Sequence, residues 1–211
     1  MKGKLIVVDG IDGSGKSSLV QNIANNFKSD HLIAMGGFDQ RHYSEELTAI
    51  AKSLNKTKQE VFSGALINIT WLMDLVNHTL SVINERLNSG QNIIVDRYTL
   101  SAKVYSLATT DSNISHLFPI YSLLPKPALG FYLDVSIETS LNRINKRSKE
   151  QIFYENREGL INIKHTYEKE LLKVDYPLVR IDANDSETAV ITNVCQYVNE
   201  LLSNMGSHYE V

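Results

Sequence analysis

Short apolar runs that end in a polar residue recur along the chain. Continuous apolar runs of this length are typical of strands that are buried on both faces, as in a parallel sheet. The runs span residues 4–8, 32–34, 92–95, 130–133 and 178–181. Aspartates follow most of them, with Asp9, Asp96 and Asp182 at the ends where ligands bind in open sheets of this kind. The pattern therefore predicts five parallel strands with chemistry at their carboxyl ends.

Between these runs, apolar residues recur every three or four positions, the period of a helix with one buried face. The period predicts helices over residues 19–27, 66–87, 137–144 and 190–201. Strand and helix alternate from end to end, which indicates an α/β domain with helices on both faces of the sheet. Repeats, low-complexity tracts and linkers are absent, so residues 1–211 are predicted to form a single domain. Three prolines within residues 119–127 predict a loop, because proline removes backbone donors.

A glycine-rich segment lies between the first predicted strand and the first predicted helix. Residues 10–17 read GIDGSGKS and fit the pattern G-x-x-x-x-G-K-[ST]. The glycines let backbone N–H groups surround a phosphate, and the following helix N-terminus adds partial positive charge. Lys16 supplies a full charge to the β- and γ-phosphates, and the Ser17 hydroxyl is an expected magnesium ligand. The segment predicts a nucleoside triphosphate with Mg²⁺; a glycine turn that happens to contain lysine is the alternative.

A second strand end distinguishes a kinase from a switch GTPase. The chain lacks N-K-x-D, and no Asp-x-x-Gly follows the third predicted strand. That strand ends instead in Asp96, Arg97 and Tyr98, before a predicted helix with Ser101 and Tyr105. Asp96 is placed to hold magnesium, and Arg97 can hold a second anionic group through two hydrogen bonds. A structural salt bridge is the alternative for this pair.

Taken in order, these residues resemble the thymidylate kinase family of P-loop nucleoside monophosphate kinases over nearly the whole chain. The resemblance rests on residues 8–18, on residues 96–98 with Ser101 and Tyr105, on residues 131–135 with Leu141, Arg143 and Arg147, and on residues 179–183. It implies a three-layer P-loop NTPase fold, a five-stranded parallel sheet with helices on both faces, and a lid over about residues 146–159. It also implies transfer of the ATP γ-phosphoryl group to a bound monophosphate, such as dTMP or a related deoxynucleotide.

The expected site residues fall into four groups. The catalytic group is Lys16, Asp12, Asp96, Arg97 and Arg147. The group expected to bind ATP is Gly10, Asp12, Gly13, Ser14, Gly15, Lys16, Ser17, Ser18, Arg143, Arg147 and Asp182. The group expected to bind the acceptor is Asp12, Phe38, Trp71, Asp74, Arg97, Ser101 and Tyr105. Ser17 and Asp96 are the expected magnesium ligands.

The departures from the family pattern gather at the acceptor site. Residues 35–41 read MGGFDQR where the family has an Arg-Glu-Pro-Gly-Gly-Thr-like stretch. Alignment through Gly90 and Asp96 puts Trp71 at the base-stacking position and Leu75 where a base-reading arginine belongs. Leucine donates no hydrogen bonds, so that route of base recognition is lost. Trp71 could instead be a core residue. Asp12 and Asp74 could instead be solvated acids or acids at helix ends.

The transition-state arginine also departs from the family pattern. The family places it in the first loop, where this chain has Ser14, or in the lid, where residues 151–153 read QIF. Arg143, Arg147 and Arg157 remain candidates, and Arg147 matches best by position. Each has an alternative as an exposed surface residue.

Two other functions therefore stay open beside the nucleotide kinase. A P-loop kinase acting on a nucleoside or other hydroxyl would favour a carboxylate base, either Asp12 or Asp39. A non-catalytic ATP-binding module would keep the first loop without turnover.

Composition limits the partners. The chain carries 21 basic and 24 acidic residues, a net charge of −3, which argues against a protein that coats nucleic acid. The single cysteine, Cys195, makes no internal disulfide and fits a reducing compartment. No run approaches the roughly 18 apolar residues of a membrane helix, and the apolar run of residues 5–8 is too short for a secretion signal. We expect a cytoplasmic protein, and the family resemblance implies a homodimer.

Overall fold

Five parallel strands form the centre of the fold, shown by a computed structural model that describes residues 2–109, 114–147, 152 and 154–203. The strands are β1 (Leu5–Gly10), β2 (Leu32–Gly36), β3 (Asn92–Asp96), β4 (Leu129–Asp134) and β5 (Leu178–Asp182). Their order in the sheet is β2-β3-β1-β4-β5, and every neighbouring pair is parallel. The five predicted strands are confirmed, and each continues past its predicted end.

The predicted helices are confirmed, and the structure adds others. The described helices are α1 (Lys16–Asn26), α2 (His42–Ser53), α3 (Lys58–Val61), α4 (Gly64–His78), a π-helical turn (Thr79–Ile83), α5 (Asn84–Asn88), α6 (Thr99–Ala108), α7 (Ile137–Asn145), α8 (Arg157–Leu171) and α9 (Glu187–Ser203). The sequence pattern predicted no helix at α2, α3 or α8. The loop predicted around the prolines is wrong in its first half, where a 3₁₀ helix covers Ser115–Leu123 and includes Pro119.

Side chains of β1 alternate between two apolar cores. Ile6 and Val8 pack on one face with residues of α1, α6, α8 and α9. Leu5 and Val7 pack on the other face with Leu72 of α4 and with other residues of α4 and of the 3₁₀ helix. Because a strand sends successive side chains to opposite faces, a strand covered on both sides must be apolar throughout. This confirms the three-layer α/β arrangement.

Helices α4 and α5 and the π-helical turn between them form one continuous helical stretch. Residues Gly64–Asn88 form a helix that is long and apolar enough to cross a membrane, judged by length and composition alone. Polar residues such as Asn68, Asp74 and His78 interrupt this stretch, so it is not a continuous run of about 18 apolar residues. Core helices of globular proteins have the same composition, and this one buries Asp74 and His78 inside the domain.

Candidate active site

The glycine-rich loop joins β1 to α1 in a conformation that only glycine adopts easily. Gly13 has φ +74° and Gly15, which precedes α1, has φ +94°. A Cβ atom at Gly13 would lie 2.6 Å from the carbonyl oxygen of Ser140. The Ser140 hydroxyl donates to the carbonyl of Asp12 at 2.6 Å, so the loop is fixed against α7. The amino end of α1 therefore opens toward the space above the loop.

Lys16 is folded over this loop. It is 5% exposed, and its Nζ donates to the carbonyl of Ile11 at 2.7 Å and to the Ser14 hydroxyl at 3.2 Å. Burial, and then the positive charge of Arg97, lower the pKa of Lys16 to about 8. A buried cation with only neutral hydrogen-bond acceptors favours the arrival of an anion.

Ser17 and Asp96 come together at the ends of β1 and β3. The Ser17 hydroxyl donates to Oδ2 of Asp96 at 2.5 Å, while Oδ1 of Asp96 is buried without a hydrogen-bond partner. Within the described residues, no group of three or more His, Cys, Asp or Glu side chains is placed to hold a metal. The pair thus offers one hydroxyl and one carboxylate, which fits Mg²⁺ bound mainly by phosphate oxygens and water.

Arg97 is held by the glycine-rich loop and by α6. Its NH2 lies 2.6 Å from Oδ1 of Asp12, its NH1 donates to the Gly10 carbonyl at 3.2 Å, and its guanidinium lies 4.5 Å from the centre of the Tyr105 ring. The Tyr105 hydroxyl donates to the second oxygen of Asp12 at 2.6 Å. Burial alone raises the pKa of Asp12, but the charges of Arg97 and Lys16 outweigh it and lower the pKa. Three expected acceptor residues, Asp12, Arg97 and Tyr105, therefore form one cluster.

A buried hydrogen-bond network lies beneath that cluster. Oδ1 of Asp9 accepts from the amide and the hydroxyl of Ser101, and the Ser101 oxygen lies 2.6 Å from the Tyr167 hydroxyl. The Tyr167 oxygen also accepts from the amide of Gly10 at 3.4 Å. Burial raises the pKa of Asp9, although hydrogen bonds from Ser101 lower it. Ser101 therefore supports the site from beneath, since its side chain is buried and bonded to protein atoms.

Sequence reasoning did not place Asp9 or Tyr167 in the site. Asp9 carried a signal, because it follows an apolar strand directly. Tyr167 lies on α8, which the sequence pattern did not predict, and its contacts with Ser101 and Gly10 span 66 and 157 residues. No local pattern reports such contacts.

A cleft of about 490 Å³ opens above the glycine-rich loop. Several predicted residues line it together, namely Asp12, Gly13, Ser14, Gly15, Lys16, Ser17, Ser18, Asp96, Arg97, Arg143 and Arg147. Gly10 lies at the base of the loop, where its carbonyl accepts from Arg97. The residues expected to bind the triphosphate and the Asp12–Arg97 pair therefore line the same cleft.

The arginines differ in their surroundings. Arg143 donates to the carbonyls of Gly13 and Ser14 at 3.4 Å and of Ala183 at 3.0 Å, which links α7, the loop and the end of β5. Arg147 lies 2.5 Å from Glu155, a carboxylate that is only 3% exposed. Arg157 pairs with the exposed Glu138 and is not among the cleft-lining residues.

Asp182 is not brought into the cleft. Its carboxylate accepts from the amide and side chain of Asn184, and Ala183 lines the cleft in its place. Only part of the predicted lid can be placed, because Gln151 and Phe153, at the family's lid-arginine position, lie outside the described residues. Glu155 accepts from the amide of Ile152 at 3.0 Å and pairs with Arg147, so it connects the described residues on either side of the predicted lid's undescribed part.

Trp71 forms a second cluster with aromatic and basic neighbours. The Phe38 ring meets it edge to face at 5.5 Å between centres. The Arg41 guanidinium lies 5.6 Å and the Lys58 ammonium 5.9 Å from its ring centre. Burial, and then the nearby Arg41 charge, lower the pKa of Lys58. Phe38 and Trp71 are therefore together as expected, and two cations that sequence reasoning missed accompany them.

Other residues near Trp71 have structural partners. Both oxygens of Asp74 accept backbone N–H groups at the start of α2, from Tyr43 at 2.8 Å and Ser44 at 3.0 Å. Leu75 is fully buried in the core. Asp39 accepts from the amide of Gly36 at 2.7 Å. Asp74 therefore acts as a cap for α2, and Leu75 faces the core.

A family model and several known proteins that match this chain all carry the same description. The sequence model described as "Thymidylate kinase" matches residues 8–194. A protein named thymidylate kinase from Desulfotalea psychrophila is 27% identical over 205 residues, which cover 95% of this chain and 96% of its own. One of the same name from Prochlorococcus marinus is 28% identical over 216 residues, covering 97% and 100%. Another from Leptospira interrogans is 30% identical over 203 residues, covering 90% and 93%.

Proposed function

The chain belongs to the thymidylate kinase family, and from this premise we propose that it transfers the γ-phosphoryl group of ATP to the phosphate of dTMP, giving ADP and dTDP. It is a nucleotide kinase. The observation that carries the proposal is that Lys16 and Arg97 line one cleft from different elements. A cation for the donor phosphates and a fixed guanidinium for the acceptor phosphate are the two charges this transfer requires.

The donor phosphates are proposed to bind over the glycine-rich loop. Gly13, Gly15 and Ser18 line this space at the amino end of α1, where backbone N–H groups are available to phosphate oxygens. Lys16 is proposed to turn from Ile11 and Ser14 toward the phosphates. Arg143 holds the loop carbonyls in place. The adenine is proposed to lie beside Ala183 and Ile191, which line the far side of the cleft.

Mg²⁺ is proposed to be held by Ser17 and Asp96. The unpartnered Oδ1 of Asp96 supports this assignment, because a buried carboxylate oxygen favours a ligand. When bound, the ion neutralises charge on the β- and γ-phosphates. The Ser17 hydroxyl and Asp96 carboxylate fix where that charge lies relative to Lys16.

The acceptor is proposed to bind on the other side of Arg97. Asp12 holds the guanidinium in place, and its bonds to Arg97 and Tyr105 leave the Arg97 cation oriented toward the cleft. Tyr105 is proposed to contact the sugar, and Trp71 with Phe38 to contact the base. Because a phosphate oxygen is the nucleophile, the reaction needs no protein base, and positioning supplies most of the rate enhancement.

Arg147 is proposed to stabilise charge on the transferring group. Arg147 lines the cleft, and its ion pair with Glu155, within the predicted lid, supports a linked movement of the two. Closure over the cleft would exclude water, which otherwise competes with the acceptor.

The two other functions are not favoured. A hydroxyl acceptor requires a basic carboxylate, but the pKa of Asp12 is lowered by its cationic neighbours, and Asp39 is bonded to the Gly36 amide. A non-catalytic module does not require the Arg97, Asp12 and Tyr105 cluster.

We also propose a cytoplasmic homodimer that binds neither polymeric nucleic acid nor membranes. Leu66, Met73 and Leu80 repeat every seven residues along one helical stretch, and each is at least 40% exposed. Such an apolar stripe suits a second copy of the helix. The net charge of −3 gives no basic surplus for nucleic acid.

A panel of acceptors tests the function. ADP release is measured with dTMP, other nucleoside monophosphates and thymidine, for the wild type and for Arg97→Lys. The proposal expects turnover with dTMP and a fall of about 100-fold or more in kcat/KM for Arg97→Lys, because lysine cannot form the two-point contact. Turnover with thymidine but with none of the monophosphates would contradict it.

A further inference from the structure

A second cavity, of about 590 Å³, lies apart from the phosphate cleft and shares no lining residue with it. Its walls come from the first half of α6, the 3₁₀ helix Ser115–Leu123, the segment at residues 124–127 and the connection between α8 and β5. A volume in this range is typical of sites for small molecules. The proposed kinase reaction assigns no role to it.

The cavity walls are flat and aromatic. Phe118 and Tyr121 are stacked with ring centres 5.8 Å apart and an interplanar angle of 29°. Tyr98 and Tyr176 also line the space, and Tyr98 is fixed because its hydroxyl donates to the Pro125 carbonyl at 3.1 Å. Ring faces of this kind bind planar, apolar groups well.

Two hydroxyls in these walls have no partner. The hydroxyls of Tyr121 and Tyr176 are buried and make no hydrogen bond, and Tyr121 as a whole is 7% exposed. An unpaired buried hydroxyl is destabilising, so a ligand that accepts a hydrogen bond from it is favoured.

The charge of the cavity is also unbalanced. Three lysines and two acidic residues line it. Lys126 pairs with Asp175 at 2.9 Å and Lys173 with Glu170 at 2.6 Å. Among the described residues, Lys103 makes no ion pair within 4 Å, although its charge acts at longer range on Asp175, and its ammonium lies 5.8 Å from the Tyr121 ring centre. One cation at an aromatic wall is thus available to a ligand.

We propose that this cavity is a regulatory site for a small planar aromatic anion. The anionic group pairs with Lys103, the aromatic body lies against Phe118 and Tyr121, and an acceptor atom reaches a tyrosine hydroxyl. Lys103 lies on α6, the helix that also carries Ser101 and Tyr105. A ligand in the cavity therefore touches the element that positions the proposed acceptor residues, and this regulatory part rests on the proposed function.

Binding is tested with anilinonaphthalene sulfonate, a fluorescent aromatic anion, while an unreactive ATP analogue and dTMP occupy the phosphate cleft. Lys103→Met keeps the side-chain stem and removes the cation, and we expect it to weaken the Kd of the probe about tenfold. Tyr121→Phe removes one hydroxyl, and we expect a loss of about three- to fivefold. Lys126→Met is the matched control, since Lys126 is already paired, and its Kd stays within about twofold. Circular dichroism checks that each variant is folded.

Probe binding that is seen with the protein alone but lost when the ATP analogue and dTMP are present, or an unchanged Kd in Lys103→Met, would overturn the site. The regulatory part has a separate measurement, the KM for dTMP with and without the probe. We expect the probe to change this KM in the wild type and not in Lys103→Met. Probe binding without a change in KM would overturn regulation alone. Probe binding does not depend on turnover, so failure of the kinase proposal leaves the binding result readable.

Discussion

The protonation of Lys16 makes the clearest quantitative prediction. Burial and Arg97 lower its pKa from 10.5 to about 8, so the free protein carries this buried cation at a cost. At about 1.36 kcal/mol for each pH unit, the difference corresponds to roughly 3 kcal/mol. The arriving triphosphate supplies the negative charge that offsets this cost. ATP binding should therefore depend on the Lys16 proton.

The pH dependence follows in sign and size. Below a pH of about 8, Lys16 is already protonated, so its titration does not change the affinity for ATP. Above it, binding must take up a proton, and kcat/KM for ATP falls about tenfold per pH unit. The decrease in kcat should begin at a higher pH than the decrease in kcat/KM, because bound phosphates raise the pKa of Lys16.

The stability of the free protein should rise with pH, whereas kcat/KM for ATP falls. The unfolded chain binds more protons than the free folded protein between the pKa of about 8 and the ordinary value of 10.5. Stability contributed by this group therefore rises with pH across that window. Lys16→Met removes the buried charge. Near neutral pH we expect its free energy of unfolding to be up to about 3 kcal/mol higher than that of the wild type. The difference should shrink toward pH 10.

The assay is a pH series of steady-state rates with ATP varied at saturating dTMP, together with urea unfolding of the free wild type and Lys16→Met. A kcat/KM for ATP that stays flat to pH 10 would refute the reasoning. So would a stability difference between the two proteins that does not change with pH.

Three other variants test separate contacts in the site. Asp12→Asn removes the charge that holds Arg97. In steady-state kinetics we expect kcat/KM for dTMP to fall about 10- to 100-fold, while the KM for ATP stays within about threefold of the wild type. Equal losses for both substrates would argue against a role of Asp12 on the acceptor side. Tyr167→Phe removes the hydroxyl that is hydrogen-bonded to Ser101 and Gly10. We expect a loss of about 1 kcal/mol in urea unfolding and a higher KM for dTMP, which wild-type values of both would contradict. Asp74→Ala removes the cap of α2 and should lower the free energy of unfolding by about 1–2 kcal/mol, with Asp74→Asn as the milder control; a changed KM for dTMP at unchanged stability would instead place Asp74 at the acceptor.

The strands and the phosphate loop could be predicted because their signals are local. A strand covered on both faces must be apolar throughout, as the runs at β1 and β4 show, while the edge strand β5 carries the exposed Arg180 within its run. The loop needs glycine where φ is positive, at Gly13 and Gly15, and lysine at the next position. These requirements are visible in a few consecutive residues.

The support of the site was not predictable in the same way. Asp9, Ser101 and Tyr167 meet through the packing of β1, α6 and α8, and Asp74 reaches the start of α2 across 30 residues of chain. Their hydrogen bonds satisfy buried polar groups, which depends on the folded neighbours rather than on a local pattern. Helix α8 was missed although its buried residues Leu160, Ile163 and Tyr167 are three and four positions apart, so a helical signal was present in the sequence. Helix α2 has only two buried residues, Ser44 and Ala51, and gives a weaker signal.

The proline-rich stretch shows a local rule applied too strictly. Proline removes a backbone donor, but it does not exclude a helical turn, and Pro119 lies inside the helix rather than at its first residue. The stretch at Ser115–Leu123 is a short-turn 3₁₀ helix that accommodates Pro119.

The central claim is that ATP and dTMP react in one cleft and that the phosphate of dTMP is the acceptor. The most direct measurement follows the label from ATP labelled in its γ-phosphate during incubation with dTMP, for the wild type and Lys16→Met. We predict that the label appears in the β-phosphate of dTDP, and that Lys16→Met forms at least about 100-fold less, a loss of roughly 2.7 kcal/mol in transition-state stabilisation. Label released only as inorganic phosphate, or no labelled dTDP from the wild type, would contradict the account.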